Sequence, residues 1–184
     1  SREEWEHFAT RDPETHRSFL ATETRVGADK LEDRLAVIYC GPGIEEWTPL
    51  QMRLGGVGGA EMSTIRLAEE LAFLGWKVVV YAMTDGVYSG VLYRHWSKFD
   101  ADAAQCALFI AWRGTQVIDR INAWYPKRKP MKHLALWLHD VLPQPTVTED
   151  HARLVDTVWT MSQWQQVNVK AAYPVIPHEK YVMV

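Results

Sequence analysis

From residue 35 onward the chain alternates short apolar runs with amphipathic stretches. Leu35–Cys40 (LAVIYC), Lys77–Ala82 (KVVVYA), Cys106–Trp112 (CALFIAW), His133–Leu138 (HLALWL) and Thr157–Met161 (TVWTM) are nearly continuous apolar runs of strand length. That is the pattern of strands buried on both faces. Gly90–Trp96 (GVLYRHW) alternates well enough to predict a strand at or near an edge, and Tyr181–Val184 begins one more. Helical periods lie between them. Ala60–Leu74 places Ile65, Ala68, Leu71, Ala72 and Leu74 at helical spacing and stops at Gly75. A second helix is predicted from Thr115 to Trp124, and an acid-rich turn with a short helix over Thr148–Leu154. A third helix, Gln163–Ala172, is capped by Ser162 and stopped before Pro174. Gly41–Gly59 reads as one long glycine-bearing loop. Buried strands alternating with amphipathic helices predict an α/β fold, a doubly wound parallel sheet wrapped on both faces.

Residues 1–34 differ from the rest. They carry nine acids and six bases, and Asp12-Pro13-Glu14 sets an N-cap, a first-turn proline and an early acid ahead of Phe19 and Leu20. A helical extension is expected there, lying on the body of the domain or ending a preceding module, with one Rossmann-like domain over residues 35–184. The whole chain of 184 residues, 47% hydrophobic and 23% charged, is long enough to bury a core without staples. Its net charge of -3 lacks the basic excess that a nucleic-acid partner would require. No apolar run approaches the length of a spanning helix and the N-terminus is polar, so a soluble, cytoplasmic chain is expected. Lys127-Arg128-Lys129 with Lys132 is the one basic run. It precedes a strand, so a solvated connection is favoured there over strong contact with an anionic membrane. Cys40 and Cys106 lie inside apolar runs, as buried inert thiols do, and neither metal-ligand nor redox spacing is present. The nine tryptophans are in excess. Most are expected in or against the core, although Trp can also line a carbohydrate site.

In a doubly wound sheet, ligands lie beyond the carboxyl ends of the strands. That rule gathers the Gly41–Gly59 loop, Thr84-Asp85-Gly86, Arg113-Gly114-Thr115, His139-Asp140 and Ser162-Gln163 on one rim. Gly55, Gly56, Gly58 and Gly59, directly before a helix, let backbone approach a ligand and leave N–H groups for a phosphate or sugar hydroxyl. A flexible loop without a ligand has the same pattern. The glycines form neither a dinucleotide fingerprint, which follows its strand at once, nor a P-loop, which ends in Gly-Lys-Ser/Thr. His139 at a strand exit can donate a hydrogen bond to a bound group, with Asp140 fixing its tautomer or capping the next segment; a backbone-satisfied structural histidine fits equally. Arg113 and Thr115 contact an anionic ligand or cap their helix, with capping slightly favoured. Glu61 in a first helical turn complements the helix dipole, unless a substrate approaches the loop.

Taken in order, these pieces resemble the N-terminal half of the GT-B-fold glycosyltransferases, specifically the retaining family 4. Gly55–Glu61 (GGVGGAE) before Leu67-Ala68-Glu69-Glu70-Leu71 and Gly75-Trp76-Lys77-Val78 is similar to that family's glycine loop, first helix and second strand. Trp137-Leu138-His139-Asp140 resembles its mid-domain strand end, and Val158–Trp164 with Tyr173-Pro174 and Lys180–Val184 the segment before its interdomain hinge. The resemblance spans residues 35–184 and implies transfer of a sugar from a nucleotide-sugar donor to a glycan or small-molecule acceptor, with retention. It implies that this half binds acceptor, that its glycine loop faces the donor phosphates, and that His139 contacts the donor sugar and stabilises developing charge. Glu61, Asp85, Arg113, Asp140 and Ser162 join as candidate binding residues from their rim positions. No metal and no cofactor beyond the donor is expected. The resemblance covers only that half; the donor-binding C-terminal half, with its E-x7-E glutamates, is expected to be absent and this chain alone to be nearly inactive. Its cleft face is expected to self-associate or dock a donor domain. A non-catalytic module binding glycan, nucleotide or protein is the alternative.

Overall fold

The structure, a computed structural model, describes residues 34–43, 46–142 and 146–184. Among them eight strands form one sheet: β1 (Leu35–Tyr39), β2 (Lys77–Ala82), β3 (Gly86–Tyr88), β4 (Val91–His95), β5 (Leu108–Trp112), β6 (His133–Trp137), β7 (Thr157–Thr160) and β8 (Tyr181–Met183). The α-helices among the described residues are α1 (Pro49–Arg53), α2 (Gly59–Phe73), α3 (Gln116–Trp124), α4 (Glu149–Leu154) and α5 (Gln163–Ala172). The order across the sheet is β3-β4-β2-β1-β5-β6-β7-β8, and every pair but β3–β4 is parallel. The chain therefore builds outward from β1 on one side, returns, and builds outward through β5 on the other. The fold is α/β with a mostly parallel, Rossmann-like sheet flanked by helices.

Alternation within β1 explains the continuous apolar runs. Ala36 and Ile38 pack in one core cluster with Ile65 and Ala68 of α2. Val37 and Tyr39 pack in the other with Val117, Ile118 and Ile121 of α3 and Val169 of α5. With both faces covered, no position along the strand is left for a polar residue.

Two elements depart from the sequence reading. The Gly41–Gly59 loop contains α1, started by a capping box: Thr48 Oγ1 accepts from the Gln51 N–H, Gln51 Oε1 accepts from the Thr48 N–H, and Pro49 occupies the first turn. The predicted near-edge strand is present as β4, but the edge itself is β3, folded back through Ser89-Gly90. Both turn residues have positive φ (51° and 77°), the two-residue hairpin turn that suits sheet twist. The acids expected as a turn before the short helix, Glu149 and Asp150, form the first turn of α4 itself. The helical extension predicted over residues 1–34 lies outside the described residues, apart from Arg34, whose carbonyl accepts from the Lys77 N–H. No described helix is long and apolar enough to cross a membrane.

Candidate functional site

The chain reverses its direction of growth between β1 and β5, so the loops leaving their carboxyl ends run apart. This is the switch point at which open α/β sheets bind ligands. An open cavity of about 730 Å³ lies there. One wall is the loop after β1 with Gly56 and Gly58 and the first turn of α2; the other is Trp112, Arg113, Gly114 and the first turns of α3. Its size suits a small ligand or part of a larger one.

Arg113 organises this cavity. Its N–H continues the β5–β6 ladder to the Trp137 carbonyl (2.8 Å), and the Gly114 N–H turns straight back to the Trp112 carbonyl (2.8 Å). The residue inside that three-residue turn has φ +63°, a conformation that L side chains adopt only under constraint. The guanidinium donates from Nε (3.1 Å) and Nη2 (2.6 Å) to Oδ2 of Asp140, approaches Oε1 of Glu61 at 3.7 Å, and lies 5.0 Å over the Trp112 ring. It caps no helix, and Asp140 neither fixes the imidazole nor caps the segment after it; the two pair with each other. Thr115 does stand at the N-cap of α3, but its hydroxyl donates to the Thr146 carbonyl and leaves the helix end without a side-chain cap.

Glu61 folds back over its own helix end. A β-carbon at position 58 would meet its Oε2, so a larger residue there would push the carboxylate out of this position. Gly55 is favoured for a different reason, a φ of +81° where the loop turns after α1. Gly58 lines the cavity with Gly56, whereas Gly55 and Gly59 stand clear of it.

His139 lies one residue beyond the end of the β6 ladder, against Trp137 (ring centroids 4.6 Å apart) and Trp112 (5.7 Å). It therefore shares the rim with the glycine loop, one ring behind the cavity wall. Its Nε2 is buried and finds no hydrogen-bond partner. Burial, reinforced by the Arg113 charge, holds the imidazole below the ordinary histidine pKa, and Asp140 and Glu61 oppose this only in part. The ring is accordingly neutral at pH 7.

The remaining candidates are engaged elsewhere. Asp85 accepts from the His95 N–H (3.1 Å) and from Lys98 (2.6 Å), holding the end of β4, and Lys98 keeps its carboxyl below the usual range. Ser162 caps α5 by accepting from the Gln165 N–H at 3.1 Å. Neither lines the cavity. Lys129, in the basic run, pairs with Asp156 at the other end of the strands. Burial raises the thiol pKa of both Cys40 and Cys106, which agrees with their reading as inert groups.

Sequence reasoning missed Trp112, Arg120 and Tyr39 as cavity residues. Arg120 donates to the Tyr39 hydroxyl (3.2 Å) and the Phe99 carbonyl (3.1 Å), between the Phe99 and Trp124 rings. Its place one turn into a helix opening on the switch point was the available signal. Among the described residues no group of three or more His, Cys, Asp or Glu side chains is placed to hold a metal ion. The cavity thus offers carboxylate acceptors, paired guanidiniums, glycine backbone and a neutral imidazole behind an indole, a set suited to hydrogen-bonding a polar ligand. No protein-family model and no curated protein sequence matches the chain.

Proposed function

We propose that this domain is the acceptor-side half of a GT-B-fold, family 4 retaining glycosyltransferase, acting in the cytoplasm on a nucleotide sugar held by a complementary donor-binding half. The observation that carries the reading is the cavity at the β1/β5 switch point, with Gly56 and Gly58 on one wall and Arg113 on the other. An acceptor bound there meets carboxylate and guanidinium groups that order its hydroxyls. Gly55 and Gly59, with open space where a β-carbon would be, form the outer lip that donor phosphates would approach. His139, neutral and with an unpartnered Nε2, supplies a hydrogen bond as charge develops on the donor sugar.

Backbone amide NMR on the purified chain tests the acceptor assignment. Glycoside acceptors should shift the amides of Gly56, Gly58 and Gly114, and shifts confined to another surface would refute it. In a polypeptide that includes a donor-binding half, His139→Ala should lower kcat by about a hundredfold or more, with acceptor KM changed far less. One observation favours the alternative, a non-catalytic binding module: the same Nε2 is closed off from solvent. That reading expects ligand binding that survives His139→Ala and no turnover in any assembly.

A further inference from the structure

The charges on the cavity wall narrow what it can hold. Two arginines, Arg113 and Arg120, face two glutamates, Glu46 and Glu61. Both guanidiniums already carry protein contacts, and only Arg113 is paired with carboxylates. Arg113 is engaged by Asp140 and Glu61, and Arg120 by the Tyr39 hydroxyl and the Phe99 carbonyl. The carboxylate of Glu61, in the first turn of α2, lies against Gly58 and so puts a negative charge at the helix end where an anion would otherwise be favoured. With Asp140 behind Arg113 the wall is net negative. Carboxylate oxygens accept hydrogen bonds and can take two from a vicinal diol; beside a phosphate they repel, and the partly buried setting of Glu61 weakens screening.

We infer that the cavity selects uncharged polyhydroxyl acceptors, glycosides or polyols without phosphate, and that Glu61 is the residue that turns the phosphorylated ones away. This rests on the cavity being the acceptor pocket, as proposed above. Discrimination comes from placing a like charge against the wrong ligand as much as from contacts with the right one.

The experiment is a set of amide-resolved NMR titrations of the 184-residue chain. The probes are methyl glucoside, methyl galactoside and methyl mannoside, the corresponding hexose 6-phosphates, and inorganic phosphate, all at one ionic strength. At least one methyl hexoside should shift Gly56, Gly58 and Gly114, with its 6-phosphate about tenfold weaker or more at the same amides. Glu61→Gln should narrow that ratio to about threefold or less. A sugar phosphate or inorganic phosphate binding the cavity as tightly as the neutral sugar overturns the inference while leaving the acceptor reading standing. So does a ratio that Glu61→Gln leaves unchanged in a variant whose spectrum remains native. Failure of every probe to move the cavity amides overturns the acceptor reading and this inference with it. The wild-type ratio decides the selectivity even if Glu61→Gln does not fold, and Glu61→Ala, which also removes the charge, then tests the residue.

Discussion

Replacing Arg113 by glycine and by alanine separates the strain in the cavity wall from the chemistry of its guanidinium. At φ +63° a β-carbon costs about 1–2 kcal/mol relative to glycine. Against this stand the contacts of the guanidinium. The ion pair with Asp140 is short, but its side chains are 42% and 60% exposed, so solvent screening leaves it about 0.5–1 kcal/mol. The stacking on Trp112 adds about 0.5–1 kcal/mol. Arg113→Ala loses those contacts and keeps the strain, so it should destabilise by about 1–2 kcal/mol. Arg113→Gly loses the same contacts but relieves the strain, less about 0.4–1 kcal/mol for the freer unfolded chain. It should therefore be the more stable variant, by about 0.5–1 kcal/mol. Urea unfolding with a common m value reads the difference as a shift in midpoint. Acceptor affinity should fall alike in both variants, since both lose the guanidinium. An alanine variant as stable as the glycine variant would show that the turn stores no strain.

Tyr93 is almost fully buried and its hydroxyl has no hydrogen-bond partner. Tyr93→Phe should thus be neutral or stabilising by up to about 1 kcal/mol in the same unfolding assay, and a clear loss of stability would reveal a partner for that hydroxyl. For His139 the folded pKa lies below the unfolded value, so the native state takes up its proton later than the unfolded chain. Its contribution to stability is complete above about pH 6.5 and is lost as pH falls through the interval down to the folded pKa. Unfolding midpoints of the wild type at pH 7.5, 6.5 and 5.5 should fall more steeply than those of His139→Gln, and parallel slopes would refute the assignment. Because the Arg113 charge is part of what depresses His139, Arg113→Ala should move the imidazole titration upward by NMR, though burial keeps it below the ordinary value.

The strand pattern was legible because burial on both faces removes polar residues from β1, β2, β5 and β6, leaving runs whose ends are marked by glycine or charge. Helix ends followed the same logic, with Ser162 capping α5 as its position before Gln163 suggests. What was overlooked carried local signals without apolar periodicity. The capping box and Pro49 announce α1 in a stretch otherwise read by its glycines. β3 is three half-buried residues whose only mark is the Ser89-Gly90 turn. Short elements contribute too few core positions for a hydrophobic period to register.

The site divides differently. Which loops converge follows from strand order alone, so the glycine loop, Arg113 and His139 could be placed on one rim before any coordinates. Which side chains then pair depends on register, and register is not local. Trp112 stands opposite Trp137, which carries Arg113 past the ladder beside residues 138–140 and makes Asp140 its partner instead of the partner of His139. Asp85 shows the converse: a residue at a correct strand end is engaged by Lys98, thirteen residues on, and does not line the cavity. A rim position is therefore necessary for a role in the cavity but not sufficient. Glu61 and Arg113 qualify: both line the cavity, and their charges approach to 3.7 Å across the two walls.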